Sequence, residues 1–598
     1  MLPRIPSYRA SSRSLVAAQG RRASYATIRG LRQPAPDPED TLPSDNDFIV
    51  SILRANPSLR DTRSYLASFG PRPKLPTLVE QVIPAEPNVP IASATPVIPD
   101  GVKASPVVSS ILDPVIRRTA LVKIQGPFTD VQLESIARGL VYLEKLGLVS
   151  VIVVENDAVA RGDQEERSSL VEETMRIVTT LEKQGARARP VLGTIAKLGP
   201  KPGDEDSPED ITPEAHTFPS DLVPIRSALR AGEIPVIPPF ALDSFCRSVR
   251  VDANDVLGAL ARGMAEAAEN DLDEEVNLTP LRLMIINREG GVPSYARSGL
   301  PHLLINLTSE YSFINDTFHD PWRTTHPTAL ANLALARTCL SYMPPTSSAV
   351  MVSHRSPSSL IANLITNKPA LSSSLPHALL QGNQRLNTHT PTLLRRGSPI
   401  RVLRSVEEID RAKLDGLLEQ SFRRTLDQAA FYKRLEQTLD FVIVAGDYAG
   451  AAIVTNELNP GSSVPISYLD KFVVLPSHQG DGTVDFLWVA LHDESYGLGH
   501  PFSANPNGGK GGVGEGRDLV WRSRADNPVN KWYFERSSGH LRMGPWVMFW
   551  CDAEKRLKQE QAKKLTGGVS FVEQGEQGRL SQWADAVQKI PSSWLPIQ

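Results

Sequence analysis

The chain has 598 residues, of which 41% are hydrophobic and 22% are charged, and its formal net charge is -3. The length allows about four domains of ordinary size, and the near-neutral charge excludes a global basic field that would attract nucleic acid or anionic membrane. No apolar run approaches the ~20 residues of a membrane-spanning helix, and three distant cysteines without CxxC spacing (Cys246, Cys339 and Cys551) favour neither a disulfide framework nor a zinc site. We therefore expect a soluble protein of a reducing compartment.

The N-terminus differs in composition from the rest of the chain. "MLPRIPSYRASSRSLVAAQGRRASYATIRGLRQ" contains seven arginines and several serines, and the first acidic residue is Asp37. A leader that is rich in Arg and Ser and poor in acids is typical of a mitochondrial transit peptide, which we place at residues 1–45. A basic disordered tail is the alternative. Proline-rich residues 46–114 are predicted to form a linker or arm.

Strand and helix patterns alternate after residue 115. "ALVKIQGPF" is a strand pattern, "DVQLESIARGLVYLEKLG" has the spacing of an amphipathic helix, and "VSVIVVEN" is a continuous apolar strand as in a buried parallel sheet. The alternation continues through "IPVIPPFAL", "ANDVLGALARGMAEAAE", "LRLMIIN", "HLLINL", "HPTALANLALARTCLSYM" and "SSAVMVSH". It predicts an α/β domain with a mainly parallel sheet over residues 115–385.

A polar stretch at residues 372–399 predicts the boundary to a second α/β domain, residues 395–565, with a tail at 566–598. Its patterns are a helix "VEEIDRAKLDGLLEQSF", a hairpin "LDFVIVAGDYAGAAIVTNE", a strand "SYLDKFVVLP", a helix "TVDFLWVALHDE", and the strands "LVWRSR" and "PWVMFWCD" on either side of a short helix. The loop "NPNGGKGGVGEG" does not fit a nucleotide-binding P-loop, because Gly511 rather than Ser or Thr follows Lys510. We interpret residues 495–517 as a flexible glycine-rich insertion.

The turn "HQGDGTV" lies between a strand and a helix. Backbone amides converge at a helix N-terminus, the helix dipole favours an anion there, and glycines allow close approach. By itself, the turn is also explained as an ordinary strand-to-helix connection. Its order resembles the pyrophosphate-binding turn (Gln/Arg)-x-x-Gly-x-(Gly/Ala) of the GNAT acetyltransferases. The matching residues are Gln479, Gly480, Asp481, Gly482 and Thr483, whereas Val484 replaces the small last residue.

The stretch "RSRADNPVNKWYFERSSG" concentrates two arginines and an aromatic triplet. Alternate strand residues share a face, so Arg522 and Arg524 project together and suit bidentate recognition of carboxylate or phosphate. Solvated arginines on an edge strand are the alternative. Asn527 before Pro528 is typical of a helix start, and Tyr533 in that helix is, by itself, more typical of a core residue than of a catalyst.

In "SYLDKFVVLP", strand alternation places Tyr468, Asp470 and Phe472 on one face and Lys471 on the other. A buried strand excludes Asp and Lys unless they are paired, so these residues indicate either a bound ligand or an ion pair at the strand end. Three histidines nearby, His478, His492 and His540, lack metal-ligand spacing on one helix face. We interpret them as surface or loop residues and predict no metal site.

Four segments together resemble the acetyltransferase domain of the N-acetylglutamate synthase family, of the type found in fungi and animals. They are "YLDKFVV", "QGDG", "WRSRADNPVNKWYFERSSG" and "PWVMFWC". The resemblance covers about residues 400–555. The upstream domain is similar in element order to the amino-acid kinase fold that precedes the acetyltransferase in that family, but the glycine-rich phosphate loop is represented only by Gly126. The family uses this domain for regulation by arginine and for assembly.

The resemblance implies that acetyl-CoA is the co-substrate, with no permanently bound cofactor. The turn at Gln479–Thr483 binds the pyrophosphate, and the strand residues Phe472, Val473 and Val474 offer backbone amides to the thioester. Glutamate is bound by cationic and polar side chains, namely Arg424 (a lysine in relatives), Tyr468, Lys471, Arg522, Arg524 and Asn527. Tyr533 is the candidate general acid, or hydrogen-bond stabiliser, for the departing sulfur, and Asn527 is expected to orient the amine or a proton-accepting water. A covalent route is disfavoured because Cys551 lies on an apolar strand.

The implied function is acetyl transfer from acetyl-CoA to the α-amine of L-glutamate, the first step of arginine biosynthesis, in the mitochondrial matrix. The resemblance further implies inhibition by arginine as an allosteric ligand, assembly as a homo-oligomer and an interaction with acetylglutamate kinase, with no nucleic-acid or membrane partner. Two alternatives stay open. One is a catalytically weak arginine sensor that regulates acetylglutamate kinase, and the other is an acetyltransferase for a different acidic amine.

Overall fold

A computed structural model describes residues 118–162, 165–199, 216–270, 277–295, 299–355, 367–369, 372–374, 386–458, 465–492, 517–553 and 574–596. The predicted transit peptide, the proline-rich linker and nearly all of the glycine-rich insertion lie outside these residues. Within the described part of the chain, no helix combines the length and the apolar character needed to cross a bilayer.

The first region, residues 118–395, is built on an eight-stranded sheet of order β10-β12-β11-β9-β1-β2-β6-β3. Its neighbouring strands run parallel except for the antiparallel pair β11 and β12, so the prediction of a mainly parallel sheet is confirmed. The strands are β1 (Arg118–Gly126), β2 (Leu148–Asn156), β3 (Ala188–Pro190), β6 (Ile234–Ile237), β9 (Pro280–Asn287), β10 (Leu304–Asn306), β11 (Ser348–Ser353) and β12 (Thr392–Arg395).

A smaller sheet of order β5-β4-β7-β8 accompanies it. Its strands are β4 (Ala196–Gly199), β5 (His216–Pro219), β7 (Phe240–Leu242) and β8 (Ser248–Arg250). The sequence "IPVIPPFAL" is divided between β6 and β7 in two different sheets. Pro238 and Pro239 separate the two strands, since proline cannot donate a hydrogen bond to a sheet ladder.

Helices connect the strands of the first region. They are α1 (Asp130–Lys145), α2 (Glu166–Lys183), α3 (Val223–Arg230), α4 (Ala253–Asn270), α5 (Leu307–Asp316), α6 (Asp320–Thr325) and α7 (Ala329–Tyr342). Helix α1 begins with a capping box, in which Thr129 and Gln132 bond each other's backbone amides. Buried residues of α1 pack on alternate residues of β1 and β2, while α4 and α7 pack on the opposite side with Leu121 and Val153.

A buried polar network ties β1 to the helices of the first region. The Lys123 ammonium donates to Asn254 Oδ1 at 2.7 Å and to Asn332 Oδ1 at 2.8 Å. Burial lowers the pKa of Lys123, and the nearby carboxylates of Glu155 and Asp252 oppose that shift. Because an unpaired buried ammonium is costly, these amide partners account for a lysine in the middle of an apolar strand.

The second region, residues 400–553, has a seven-stranded sheet of order β13-β14-β15-β16-β17-β19-β18. Its pairs are antiparallel except β16 and β17, which are parallel. The strands are β13 (Ile400–Leu403), β14 (Leu439–Ala445), β15 (Gly450–Glu457), β16 (Ile466–Val474), β17 (Leu519–Arg524), β18 (Gly539–Met543) and β19 (Trp546–Cys551). The predicted α/β class is thus confirmed for both regions.

Helices cover both faces of the second sheet. One face, here called the α10 face, packs against α10 (Thr483–Leu491) and α11 (Asn530–Arg536). The opposite face, here called the α9 face, packs against α8 (Arg411–Phe422), α9 (Gln428–Thr438) and α12 (Gln574–Lys589). Single 3₁₀ turns at Val406–Glu408 and Pro476–His478 precede α8 and α10.

Residues 574–596, here called the C-terminal segment, belong to the predicted C-terminal tail and pack onto the second sheet. Trp583 and Val587 of α12 form a buried cluster with Val520 of β17. The strand-like residues after α12 are bonded to the loop between α8 and α9, with Ser593 O accepting from Asp427 N at 3.0 Å. Leu580, Trp583, Ala584 and Val587 of α12 have the i, i+3, i+4, i+7 spacing of an amphipathic helix, which the prediction of a tail did not take into account.

The first sheet also extends beyond residue 385, where we placed its end, since β12 ends at Arg395. Its four residues lie within the polar stretch that we interpreted as a boundary. Three of them, Thr392, Leu393 and Leu394, are completely buried. The domain limits themselves stay predictions.

Candidate active site

The turn between β16 and α10 has the backbone shape that its glycines predict. Gly480 and Gly482 have φ values of 105° and 97°, in the left-handed region that residues with a Cβ rarely adopt. A Cβ at Gly482 would lie 3.2 Å from the Phe486 ring and 3.3 Å from Arg395 Cδ. The turn therefore needs glycine at position 482 for conformation and for space.

Asp481 shapes this turn from within. Its Oδ1 accepts hydrogen bonds from the backbone N and the Oγ1 of Thr483, at 3.0 and 2.7 Å, and its Oδ2 lies 2.9 Å from His478 Nδ1. The carboxylate thus satisfies one of the amides at the start of α10. Asp481 and Thr483 were both predicted to bind the cofactor, yet neither lines the cavity described next.

A cavity of about 760 Å³ adjoins the turn on the α10 face. Its lining includes predicted site residues from three separate segments of the chain: Phe472, Val473 and Val474 of β16, Gln479, Gly480 and Gly482 of the turn, and Asn527 and Tyr533 near α11. Its volume suits a sizeable organic ligand. The structure therefore brings the predicted cofactor strand, the predicted anion turn and the predicted catalytic tyrosine to one cavity.

Strands β16 and β17 open next to this cavity. Their parallel ladder consists of two residue pairs, Ser467 with Leu519 and Tyr468 with Val520, and the strands continue beyond it to Val474 and Arg524. Residues 472–474 pair with β15 on their other edge. Their edge towards β17 is thus the one that can present backbone groups to a ligand.

Tyr533 lies in an aromatic cluster on the α10 face. Its ring centroid is 5.4 Å from that of Trp521 and 5.6 Å from that of Phe549, and its side chain is buried. Burial raises the pKa of Tyr533 well above its ordinary value, because the phenolate would lose its hydration. The hydroxyl stays protonated at neutral pH and can act as a hydrogen-bond donor or an acid.

Asn527 also lines the cavity, and both ends of its amide are hydrogen-bonded. Its Nδ2 donates to Ser523 Oγ at 2.9 Å, and its Oδ1 accepts from Val529 N at 3.0 Å. Helix α11 begins at Asn530, so Asn527 caps the turn before the helix instead of the helix that we expected it to start. These bonds hold Asn527 in place at the cavity wall.

The chain matches known proteins over nearly its whole length. Residues 401–498 and 515–566 match the family described as NAT, N-acetyltransferase, of N-acetylglutamate synthase. The chain is 67% identical over 620 residues to the mitochondrial amino-acid acetyltransferase of Coprinopsis cinerea. The alignment covers 99% of this chain and 100% of the relative. The chain belongs to the amino-acid acetyltransferase family.

A second relative, the mitochondrial amino-acid acetyltransferase of Laccaria bicolor, is 71% identical over 558 residues, which are 92% of this chain and 99% of the relative. Among solved structures, N-acetylglutamate synthase from Neisseria gonorrhoeae complexed with coenzyme A and N-acetyl-glutamate matches 75% of this chain and 97% of its own, at 13% identity and a TM-score of 0.41. The family predicted from the residues is confirmed, and the chain is an acyltransferase that acetylates an amino acid.

The acetyltransferase carries the other predicted site residues on the α9 face. A β-bulge in the pairing of β15 and β16 interrupts the alternation between Leu469 and Lys471. Lys471 consequently contacts the rings of Phe431 and Trp594, whereas Phe472 packs on the α10 face. Our assignment of the faces of this strand was therefore wrong beyond residue 469, because simple alternation does not pass through a bulge.

Asp470 and Lys471 belong to a buried ion-pair network. The Asp470 carboxylate accepts from Lys471 Nζ at 2.6 Å and from the guanidinium of Arg434. Burial opposes ionisation of Asp470, but the charges of Lys471 and Arg434 outweigh it and lower the pKa of Asp470 below its ordinary value. Lys471 Nζ also lies 3.1 Å from Ser593 Oγ of the C-terminal segment. The ion pair, which was one of the two interpretations, is thus present in the structure.

Arg522 is bound by the end of helix α12. Its two terminal nitrogens donate to Val587 O at 2.6 Å and to Ile590 O at 2.7 Å, and its guanidinium lies over the Trp546 ring. Carbonyls at a helix C-terminus lack helical partners and attract cations, so Arg522 caps α12. Tyr468, on the same face, is buried in the cluster that contains Trp583.

The remaining two predicted substrate residues are more accessible. Arg524 forms an ion pair with Asp526 at 3.0 Å, and 58% of its side chain is exposed. Arg424 is exposed in the loop that follows α8. The structure therefore separates the predicted cationic substrate residues into two that hold the C-terminal segment, the buried Lys471 and the partly buried Arg522, and two that are exposed.

The structure also determines the environment of the cysteines and of His492. None of the three cysteines lines the cavity, and burial raises the pKa of Cys551, so it is a poor nucleophile. His492, which we interpreted as a surface or loop residue, is buried at the end of α10, with Nδ1 2.7 Å from Trp488 O and its ring 4.6 Å from the Trp488 ring. Sequence patterns did not identify Arg434, Ser593 or Arg395, because each acts through residues distant in the chain.

Proposed function

We propose that this acetyltransferase transfers the acetyl group of acetyl-CoA to the α-amine of L-glutamate and releases N-acetyl-L-glutamate and CoA. The observation that carries the proposal is the cavity of about 760 Å³, because it joins the Gly480–Gly482 turn, the free edge of β16 and Tyr533. The description of the matching family as the N-acetyltransferase of N-acetylglutamate synthase supports glutamate as the acceptor.

The turn and the start of α10 receive the pyrophosphate of acetyl-CoA. Positive φ at Gly480 and Gly482 lets the backbone approach closely, and the amides at the helix start favour an anion. The acetyl-pantetheine arm then follows residues 472–474 towards the opening between β16 and β17. Backbone amides at that edge polarise the thioester carbonyl.

Transfer follows direct attack within a ternary complex. The neutral amine of glutamate forms a C–N bond with the thioester carbon, the C–S bond breaks, and the sulfur leaves as thiolate. Tyr533 donates a proton to that sulfur and regains one as the amine nitrogen loses its own, so that amide and thiol are the net products. Because burial raises the pKa of Tyr533, the hydroxyl is protonated before the reaction. Asn527, fixed by Ser523, orients the amine.

The acceptor approaches from the α9 side of the opening. Glutamate carries two carboxylates, which need cations, and Arg524 and Arg424 supply exposed guanidinium groups. Arg522 and Lys471 hold the neighbouring C-terminal segment, which becomes a wall of the acceptor site. We extend the proposal to the mitochondrial matrix as location and to arginine as an allosteric inhibitor. The names of the relatives support the mitochondrial part.

The decisive experiment measures thiol release from acetyl-CoA by the purified mature chain. Glutamate, aspartate and glutamine are compared as acceptors, each with and without arginine. We expect glutamate to be preferred by at least tenfold in kcat/KM and arginine to reduce its rate. Absence of thiol release with glutamate at every arginine concentration would overturn the proposal and favour an arginine sensor. A preference for aspartate or glutamine would instead reassign the acceptor.

A further inference from the structure

The cavity of the second region has a wall that belongs to the first region. Six of its lining residues come from the first region or from the connection that follows β11: Leu304, Asn367, Lys368, Pro369, Ser372 and Arg395. One hydrophobic cluster contains residues of both regions, including Leu393 of β12 and Phe486 of α10. The second region by itself therefore has only part of this cavity.

Arg395 connects β12 to the turn at the cavity. It is buried, and one terminal nitrogen donates to Asn367 O at 2.6 Å and approaches Gly480 O at 3.3 Å. Burial lowers the pKa of Arg395 to about 10, while Asp481 and Asp485 favour its charged form. The guanidinium is thus a cation at neutral pH, and it fixes a carbonyl of the turn from the side of the first region.

A second set of bonds connects the two regions at α10 and α11. Asp485 Oδ1, in the first turn of α10, accepts from Ser374 Oγ at 2.6 Å and from Ser372 Oγ at 3.1 Å. Arg536, at the end of α11, donates to the same hydroxyls at 2.8 and 3.0 Å. Residues 372–374 therefore hold the helices that flank the cavity in a fixed relation.

The charges of this wall suit a polyanionic ligand. Lys368 is exposed at the cavity beside Asn367, and Arg395 and Arg536 also line it, against the single carboxylate of Asp485 among the lining residues. Coenzyme A carries a pyrophosphate and a 3′-phosphate at its nucleotide end. Charge-assisted bonds from Lys and Arg are the usual partners of such groups.

We propose that the first region completes the acetyl-CoA site, with Lys368 binding the phosphates at the nucleotide end and Arg395 acting as a positioning residue for the turn. This inference rests on the proposed function in taking acetyl-CoA as the ligand of the cavity. It follows that displacement of residues 367–369 and 372–374 weakens binding of acetyl-CoA.

The first test uses the full mature chain with Lys368→Gln, and with Lys433→Gln as a matched control, since Lys433 is an exposed lysine outside the cavity lining. Titration calorimetry gives Kd for CoA, and kinetics compare acetyl-CoA with S-acetylpantetheine, which lacks every phosphate. We expect Lys368→Gln to raise Kd for CoA about tenfold and to leave kcat/KM for S-acetylpantetheine unchanged. An unchanged Kd, or an equal loss with both donors, would overturn the role of Lys368.

The second test compares Arg395→Gln and Arg395→Lys with Arg396→Gln, which changes the exposed neighbouring arginine. We expect Arg395→Gln to raise KM for acetyl-CoA several-fold with little change in kcat or in KM for glutamate, and Arg395→Lys to restore part of the loss. Equal KM values for all variants would overturn the positioning role. Direct CoA titration keeps the inference separate from the proposed function, because CoA can bind normally even if glutamate proves not to be the acceptor.

Discussion

The two faces of the second sheet use similar residues for different purposes. On the α10 face, glycines, diverging strands and buried aromatic rings leave a cavity beside Tyr533. On the α9 face, cations and carboxylates are in contact with each other and with the C-terminal segment. Charged side chains in a motif thus do not by themselves mark a ligand site, since the chain's own carbonyls and carboxylates compete for them.

The opening between β16 and β17 connects the two faces of the sheet. Only two residue pairs join these strands, so backbone groups of residues 472–474 are available beyond Tyr468. In the proposed function, acetyl-CoA on the α10 face and glutamate from the α9 face meet there. Four substitutions sharpen this contrast, since some should affect chemistry and others mainly stability.

Asp470→Asn tests the ion-pair network of the α9 face. Loss of the carboxylate leaves the buried Lys471 without its counter-charge and leaves Arg434 with Glu457 as its remaining partner, so we expect the free energy of unfolding at pH 7 to fall by about 3–5 kcal/mol. The folded pKa of Asp470 lies below its unfolded value of about 3.9. Its stabilising contribution is therefore present above that pH and is lost as the pH falls through the folded pKa.

Urea denaturation of wild type and Asp470→Asn between pH 7 and pH 3 checks both points. The difference in stability between the two proteins should narrow as the pH falls below about 4. Asp447→Asn serves as control, because Asp447 forms an exposed pair with Lys413. A pH-independent difference would contradict the assignment to Asp470.

Tyr533→Phe tests the chemistry of the α10 face. The substitution keeps the ring packed against Trp521 and Phe549 but removes the proton donor, so we expect kcat to fall about 100-fold. KM for acetyl-CoA and the melting temperature should stay near their wild-type values. Tyr342→Phe, at an exposed tyrosine of the first region, is the control. Wild-type kcat in Tyr533→Phe would remove this residue from the catalytic step.

Arg522→Ala separates a structural role from substrate binding. The variant loses two charged hydrogen bonds to the end of α12 and the contact with Trp546, so we expect about 2–3 kcal/mol of lost stability. Arg524→Ala, on the same strand, should change stability by less than about 0.5 kcal/mol and instead raise KM for glutamate. Equal stabilities in chemical denaturation would show that the contacts of Arg522 with α12 contribute little.

Gly482→Ala tests the turn with the smallest change. The added methyl group meets Phe486 and Arg395 at a positive φ, which we expect to cost about 1–2 kcal/mol and to raise KM for acetyl-CoA several-fold. Gly416→Ala is the control, because a Cβ at Gly416 in helix α8 meets no atom within 4 Å. The measurement is KM for acetyl-CoA in both variants, and an unchanged value in Gly482→Ala would contradict the close approach.

Much of the architecture could be predicted because its causes are local. The strand β17 occupies Leu519–Arg524, the residues of the predicted strand "LVWRSR", and the capped helix α1 follows its amphipathic pattern. The shape of the glycine turn was predicted because glycine spacing and the following helix determine it. Elements of three or four residues, such as β3 and β8, have too little periodicity to be recognised.

Local patterns thus determined the alternation of strands and helices, the glycine turn and the candidate tyrosine, because each depends on neighbours within a few residues. Only the tertiary structure decided which cationic side chains are bound by other parts of the chain and which are exposed. Arg522 and Lys471 contact partners more than 60 residues away, at Val587, Ile590 and Ser593. Their environment depends on the bulge in β16 and the docking of α12, and the energy of a charge depends on the groups that surround it in space.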